Sequence, residues 1–186
     1  MTAPLNLKGA ILRGAALAAL ALAAGCGGGG SGGGAPQTQT QNLAQGTYQL
    51  AVAVQTAPGS TVPISGLQMT LAVPPGIVIA TAASPAGEVQ ASSLQAGSGV
   101  PGASLVEGSL TGTNQVRLAL VADPTTPWSG QAMLLTFTVP ASVTVPSNFQ
   151  QLNQPPPALT AVGLDPASNS TVVITDQVTT TLTVTP

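Results

Sequence analysis

Few side chains in this sequence can do covalent or acid–base chemistry, and their types exclude more than their spacing suggests. Histidine is absent from all 186 residues, and cysteine occurs once, as Cys26. Ser-His-Asp and Cys-His nucleophiles, histidine-bound zinc and Cys-x-x-Cys-His haem attachment all need residues that the chain lacks. The bases are Lys8, Arg13 and Arg117, so no lysine beyond position 8 can serve a Ser-Lys pair or a Schiff base. The acids are Glu88, Glu107, Asp123, Asp165 and Asp176. Two carboxylates flanking a glycosidic bond can hydrolyse it, which makes Glu88, Glu107, Asp123 and Asp165 the only candidates for catalysis. All four sit beside turn residues or on predicted loops, and sugar sites need aromatic platforms. The expectation is a protein that is not an enzyme and carries no cofactor and no metal.

Two smaller constellations remain. Asp165 to Ser170, with Asn169, gathers oxygen donors of the kind calcium takes, but Asp-Pro-x-Ser-Asn is first of all a turn sequence. Asn169-Ser170-Thr171 matches a glycosylation acceptor and reads equally as turn chemistry. Trp128, in a Pro-Thr-Thr-Pro-Trp-Ser-Gly loop, is the one candidate for ligand binding. It is either an exposed anchor for a partner or sugar ring, or a ring closing one end of the fold. Arg117 falls on an alternating segment and should point to solvent, with Glu107 or Asp123 as possible ion-pair partners. Tyr48 and Phe137 read as core.

The elements that must position these residues show in the period of the apolar side chains. Tyr48, Leu50, Val52 and Val54 alternate with polar or small residues. The same holds for Leu67, Met69, Leu71 and Val73, for Val116, Leu118 and Leu120, and for Met133, Leu135, Phe137 and Val139. Leu182 and Val184 alternate with threonines. A period of two marks strands with one buried and one wet face. Turn signals separate them at Pro58-Gly59, Pro74-Pro75-Gly76, Pro85 to Gly87, Gly97 to Gly102, Asp123-Pro124 and Asp165-Pro166. Prolines 155, 156 and 157 forbid a helix there. About nine short strands with turns every 8–12 residues or so predict an all-β sandwich.

The first 46 residues follow other rules. Lys8 and Arg13 precede an uncharged apolar run, Gly14 to Ala24, which has the length of a secretory h-region and is too short to span a bilayer. Gly27 to Gly34 is glycine broken only by Ser31, and Gln and Thr alternate from Gln37 to Gln41. Glycine is costly to order and nothing here offsets that cost by burial. Residues 26–46 are expected to be a flexible tether spanning on the order of 25 Å. Beyond Cys26 the chain has one base against five acids, which leaves no electrostatic footprint for nucleic acid or for anionic lipid.

Leu22-Ala23-Ala24-Gly25-Cys26 resembles the lipobox of bacterial lipoproteins, with Ala23 where that family usually has leucine. The resemblance implies a leader over residues 1–25, diacylglycerol on the sulfur of Cys26 and covalent attachment to a membrane. Gly27, in place of the aspartate that marks inner-membrane retention, implies the outer membrane or cell surface of a two-membrane host. The alternative is an ordinary cleavable leader that leaves Cys26 as a free thiol.

Residues 47–186 resemble the cohesin family in pattern. Tyr48 to Val54, Pro58-Gly59 and Ile64-Ser65-Gly66 lead into Leu67 to Leu71, as in the opening strands of cohesin-like modules. Gly130 to Val139, ending Phe137-Thr138-Val139, fits a late strand of that family, and Thr179 to Thr185 fits its closing strand. Pro74-Pro75-Gly76-Ile77 stands where another turn type is commoner. The resemblance implies a nine-stranded jelly-roll-type sandwich that binds protein without catalysis at the cell envelope, through a sheet face. The partner would be an envelope or extracellular protein, with no nucleic acid involved. Two other readings stay open: a carbohydrate-binding module that takes polysaccharide through Trp128, and a surface component that self-associates through threonine-rich edges such as Thr179 to Thr185.

Overall fold

A computed structural model describes residues 42–102, 104–154 and 158–186. The expected leader 1–25, Cys26 as the expected site of lipid attachment, and the expected tether as far as residue 41 lie outside the described residues. The strands run in the order β1 (Asn42–Leu43), β2 (Gly46–Thr56), β3 (Ile64–Ala72), β4 (Leu94–Ala96), β5 (Ser104–Leu110), β6 (Gln115–Ala122), β7 (Gly130–Val139), β8 (Val145–Pro146), β9 (Leu159–Asp165), β10 (Ser170–Val173) and β11 (Val178–Thr185). A single helical turn, α1 (Phe149–Leu152), lies between β8 and β9.

The protein is an all-β sandwich of two antiparallel sheets. One has five strands in the order β10-β9-β3-β6-β5, and the other has four in the order β11-β2-β7-β4. The alternation in sequence becomes alternation in space. Leu50, Val52 and Val54 of β2 and Leu135, Phe137 and Val139 of β7 point inward from one sheet, and Leu67, Met69, Leu71, Val116, Leu118 and Leu120 meet them from the other, all in one buried cluster. Full burial of each such side chain contributes about 1.5–3 kcal/mol, which compensates for a core with few rings. A bulge between Val52 and Ala53 shifts the β2–β7 register, so Ala132 and Met133 are both buried.

Three of the four aromatic residues gather in the core. The Tyr48 and Phe137 rings stack at 5.7 Å between centroids, and Phe149 meets Phe137 at 5.2 Å. The Tyr48 hydroxyl donates to the Ala44 carbonyl at 3.0 Å. Phe149 brings α1 to the open side of the sandwich. Asn153, just after α1, is 4 % exposed. Its Oδ1 accepts from the Ala72 amide at 2.8 Å. Its Nδ2 donates to the carbonyls of Ala72 at 2.9 Å and Phe149 at 2.7 Å. A side-chain amide thus replaces a strand peptide beside β3, beyond Met69, where the β3–β9 ladder stops.

The sheet edges are treated unequally. β4 has three residues and β10 four, and short edges recruit other strands poorly. β5 is covered, since Val89 N donates to Gly108 O and Leu110 N to Gly87 O, both at 2.8 Å. β11 runs for eight residues at the edge of its sheet. α1 lies against it, and the Oε1 of Gln150 accepts from the Leu182 amide at 2.8 Å.

Two features depart from expectation. The C-terminal end of the expected tether, residues 42–46, belongs to the fold: Asn42 and Leu43 pair with Pro146 and Val145, and Gly46 opens β2 opposite Val139. Pairing with a strand that distant in sequence supplies backbone partners, and Leu43 packs partly against the core. Arg117 is exposed as expected, but its Nη2 donates to Gln68 Oε1 at 2.7 Å and not to Glu107 or Asp123. Asp123 is six residues away along an extended chain, roughly 20 Å, and Gln68 is a diagonal neighbour on β3.

Candidate functional site

Side chains that do not face the core form the outer faces of the two sheets, and pairing register decides which of them become neighbours. On the five-stranded sheet, Val173 pairs with Val162, Val162 with Gly66, Gly66 with Val121, and Val121 with Leu105. These five residues form one transverse row from β10 to β5. Val173 is 71 % exposed, and Val121 and Leu105 are each 59 % exposed. Leu164, one step along β9 and also exposed, widens the row.

Gly66 is what allows the row to be flat. A Cβ built there would lie 2.7 Å from Cγ2 of Val162, so any side chain at this position would displace Val162. The adjacent bulge between Ile64 and Gly66 re-aims the strand, as bulges do.

Polar rows border the aliphatic one. Thr160, Gln68, Ala119 and Glu107 form the next row, followed by Thr70, Arg117 and Ser109. The only base among the described residues is thus on this face, one step from an acid. Single exposed apolar residues are ordinary on a protein surface. Here several stand in one register row rimmed by polar groups, the arrangement from which larger apolar contact patches are built.

The residues singled out for chemistry are mostly kept apart. Glu88 and Glu107 line the same open cleft of about 520 Å³, with Arg117 on its wall and no aromatic side chain in the lining. Both carboxylates are exposed. Asp123 follows the end of β6 and Asp165 closes β9, so neither joins them.

Asp165 makes a turn. Its Oδ1 accepts from the Ala167 amide at 2.9 Å and its Oδ2 from the Ser168 hydroxyl at 2.7 Å. These bonds, the Ser168 hydroxyl first, hold the carboxyl below its ordinary value of 3.8. Asn169 takes the left-handed conformation at φ 51°, and the Ser168 and Ser170 hydroxyls are 2.6 Å apart. Both carboxylate oxygens thus accept from donors within the turn itself. Among the described residues, no group of three or more His, Cys, Asp or Glu could hold a metal ion, and no helix is long and apolar enough to cross a membrane.

Trp128, the sequence candidate for ligand binding, is 8 % exposed, and its indole N–H donates to the Ile64 carbonyl at 2.9 Å. The ring closes one end of the sandwich beside the β3 bulge and presents no open face to a sugar. The aliphatic row was missed in the sequence. Its one local signal was Val121, on the outward phase of a strand whose inward residues are Val116, Leu118 and Leu120. No family model and no curated protein matches the chain, and no solved structure matches it.

Proposed function

We propose that this chain is a non-catalytic, lipid-anchored binding module of the cell envelope, and that it engages a protein partner through the outer face of its five-stranded sheet. The observation that carries the reading is the transverse row of Val173, Val162, Val121 and Leu105 over Gly66. A domain so poor in charge gains nothing in solubility from exposed aliphatic side chains, and covering them with a partner contributes up to about 1.5–3 kcal/mol per fully buried residue. Arg117 and Glu107 at the rim would set orientation more than affinity.

Two sheets holding nine strands are what the cohesin-like resemblance implies, and the lipobox-like sequence at Cys26 supplies the anchor. With Trp128 buried against Ile64, the carbohydrate-binding reading has no aromatic platform on either sheet face of the described residues.

The test is site-specific photocrosslinking of the full-length chain in its native envelope. A photoreactive apolar residue at position 121 should give a discrete protein adduct, and the same residue at position 49, on the other sheet, should give none. Equal labelling from both positions, or none from position 121, overturns the reading. Mass spectrometry of the membrane-extracted chain should find acyl mass on an N-terminal Cys26. An unmodified thiol there would remove the anchor.

A further inference from the structure

We infer that β11 is a strand-addition edge for a second copy of this chain, with the two β11 strands pairing antiparallel about a two-fold axis at Leu182 and Gln150 acting as the guard that must yield. This contact lies on the other sheet from the aliphatic row and does not depend on it.

The inference starts from the unequal edges. β4 and β10 are protected by shortness and β5 by its bonds to residues 87 and 89. Among the described residues β11 lacks the protections of shortness, charge and bulges, and its cover is the single turn α1, which lies against it and reaches it through Gln150. The strand is eight residues long and has no charge, no proline and no glycine in Val178–Thr185. Its ladder to β2 is unbroken from Val178↔Thr56 to Thr185↔Gln49, so no bulge twists the edge away.

The backbone parity fits self-pairing. Leu182 N–H points away from β2, because it donates to Gln150. In an antiparallel ladder the direction alternates, so the N–H and C=O groups of Thr180 and Val184 also face outward. A two-fold at Leu182 sets Leu182 opposite Leu182 of the second copy and Thr180 opposite Val184. These are the residues whose backbone N–H and C=O groups point out of the sheet, with the Leu182 amide held by Gln150 until it yields.

The side chains fit as well. Thr181 falls opposite Thr183 and Thr179 opposite Thr185, at the non-hydrogen-bonded positions where side chains approach most closely. All four are exposed on the outer face, and cross-strand threonine pairs are favourable. An arbitrary extended peptide would have to match this pattern, whereas a second copy matches it by symmetry. With one base and five acids beyond Cys26, little charge repulsion opposes the contact.

Gln150 sets the threshold. Its carboxamide oxygen must leave the Leu182 amide before a carbonyl of the second copy can replace it, so the monomer is the resting form and association needs high local concentration. Chains confined to a membrane surface would supply that concentration.

Sedimentation of the full-length chain over a range of concentrations tests the inference. The wild type should show a dimer that grows with concentration, and Gln150→Ala should lower its Kd by about tenfold or more, since one competing hydrogen bond in each of the two copies is removed. Thr181→Lys combined with Thr183→Lys places like charges opposite each other at the exposed positions and should leave a monomer. Mixing that variant with one carrying Thr181→Glu and Thr183→Glu should restore a dimer of one of each. A wild type and a Gln150→Ala variant that both stay monomeric overturn the inference. So does a dimer that survives the two lysines, or a charged mixture that fails to pair.

Discussion

On the four-stranded sheet, β11 turns Thr179, Thr181, Thr183 and Thr185 to water, and Gln49, Gln55 and Thr138 continue that surface on β2 and β7. On the five-stranded sheet the same outward phase carries Val173, Val162, Val121 and Leu105. Threonine and valine have nearly the same shape and the same preference for extended backbone. The folding problem would thus have been solved equally well by threonine on both faces. What differs is hydration. The four-stranded sheet is not free of exposed aliphatics, since Val78 beside Thr138 is 53 % exposed, but only the five-stranded sheet sets several of them in one register row, and that row is the surface proposed to be covered by a partner.

The most severe way to break the comparison is to remove the core that both faces share. Phe137→Ala deletes a ring that is 1 % exposed and packed between Tyr48 and Phe149. It should cost about 3–5 kcal/mol, read as a large drop in the urea midpoint, and both faces should be lost together. Asn153→Ala is milder. It leaves the Ala72 amide and carbonyl without their partner and should cost about 1–3 kcal/mol. Because Asn153 also holds the Phe149 carbonyl, the variant should loosen α1 and increase association through β11, which sedimentation would detect.

Converting one face into the other sharpens the comparison. Val121→Thr, Val173→Thr and Leu105→Thr together should keep the urea midpoint within about 0.5 kcal/mol per site. Adduct formation with the envelope partner should fall by about tenfold or more, the ratio that roughly 1.4 kcal/mol represents. A stability loss with unchanged partner binding would mean that the row serves the fold instead. The smallest effect is expected at the β9–β10 hairpin. The folded Asp165 carboxyl titrates below 3.8, so its contribution is fully present above that pH and is lost as pH falls through the lower folded value. Asp165→Asn should flatten this acid-side dependence and lower stability at neutral pH by the same small amount, measured by thermal melts between about pH 2 and 7.

The sheets were legible because alternation is local. Each of Tyr48 to Val54, Leu67 to Val73, Val116 to Leu120 and Met133 to Val139 carries its own period of two, and each became a strand with the expected residues inward. What escaped reading depends on register between segments far apart in sequence. Nothing near Asn42 announces Val145, and nothing near Trp128 announces the carbonyl of Ile64. α1 is too short to show a helical period and is held by Phe149 reaching into a core built elsewhere. The aliphatic row is the extreme case. Its members come from β10, β9, β3, β6 and β5, and they become neighbours only when the pairings are known.

Arg117 carries one further consequence. It is the only Lys or Arg in the sequence after Arg13, and it sits within a central strand, between β3 and β5. A trypsin-like protease needs several residues of extended, unpaired backbone around its cleavage point, and here that requires β6 to leave both neighbours. Opening of that kind approaches global unfolding, so digestion by such an enzyme reports the unfolded population and ignores local fraying. A domain exposed outside the cell would thereby outlast proteases that cut frayed loops in lysine-rich proteins.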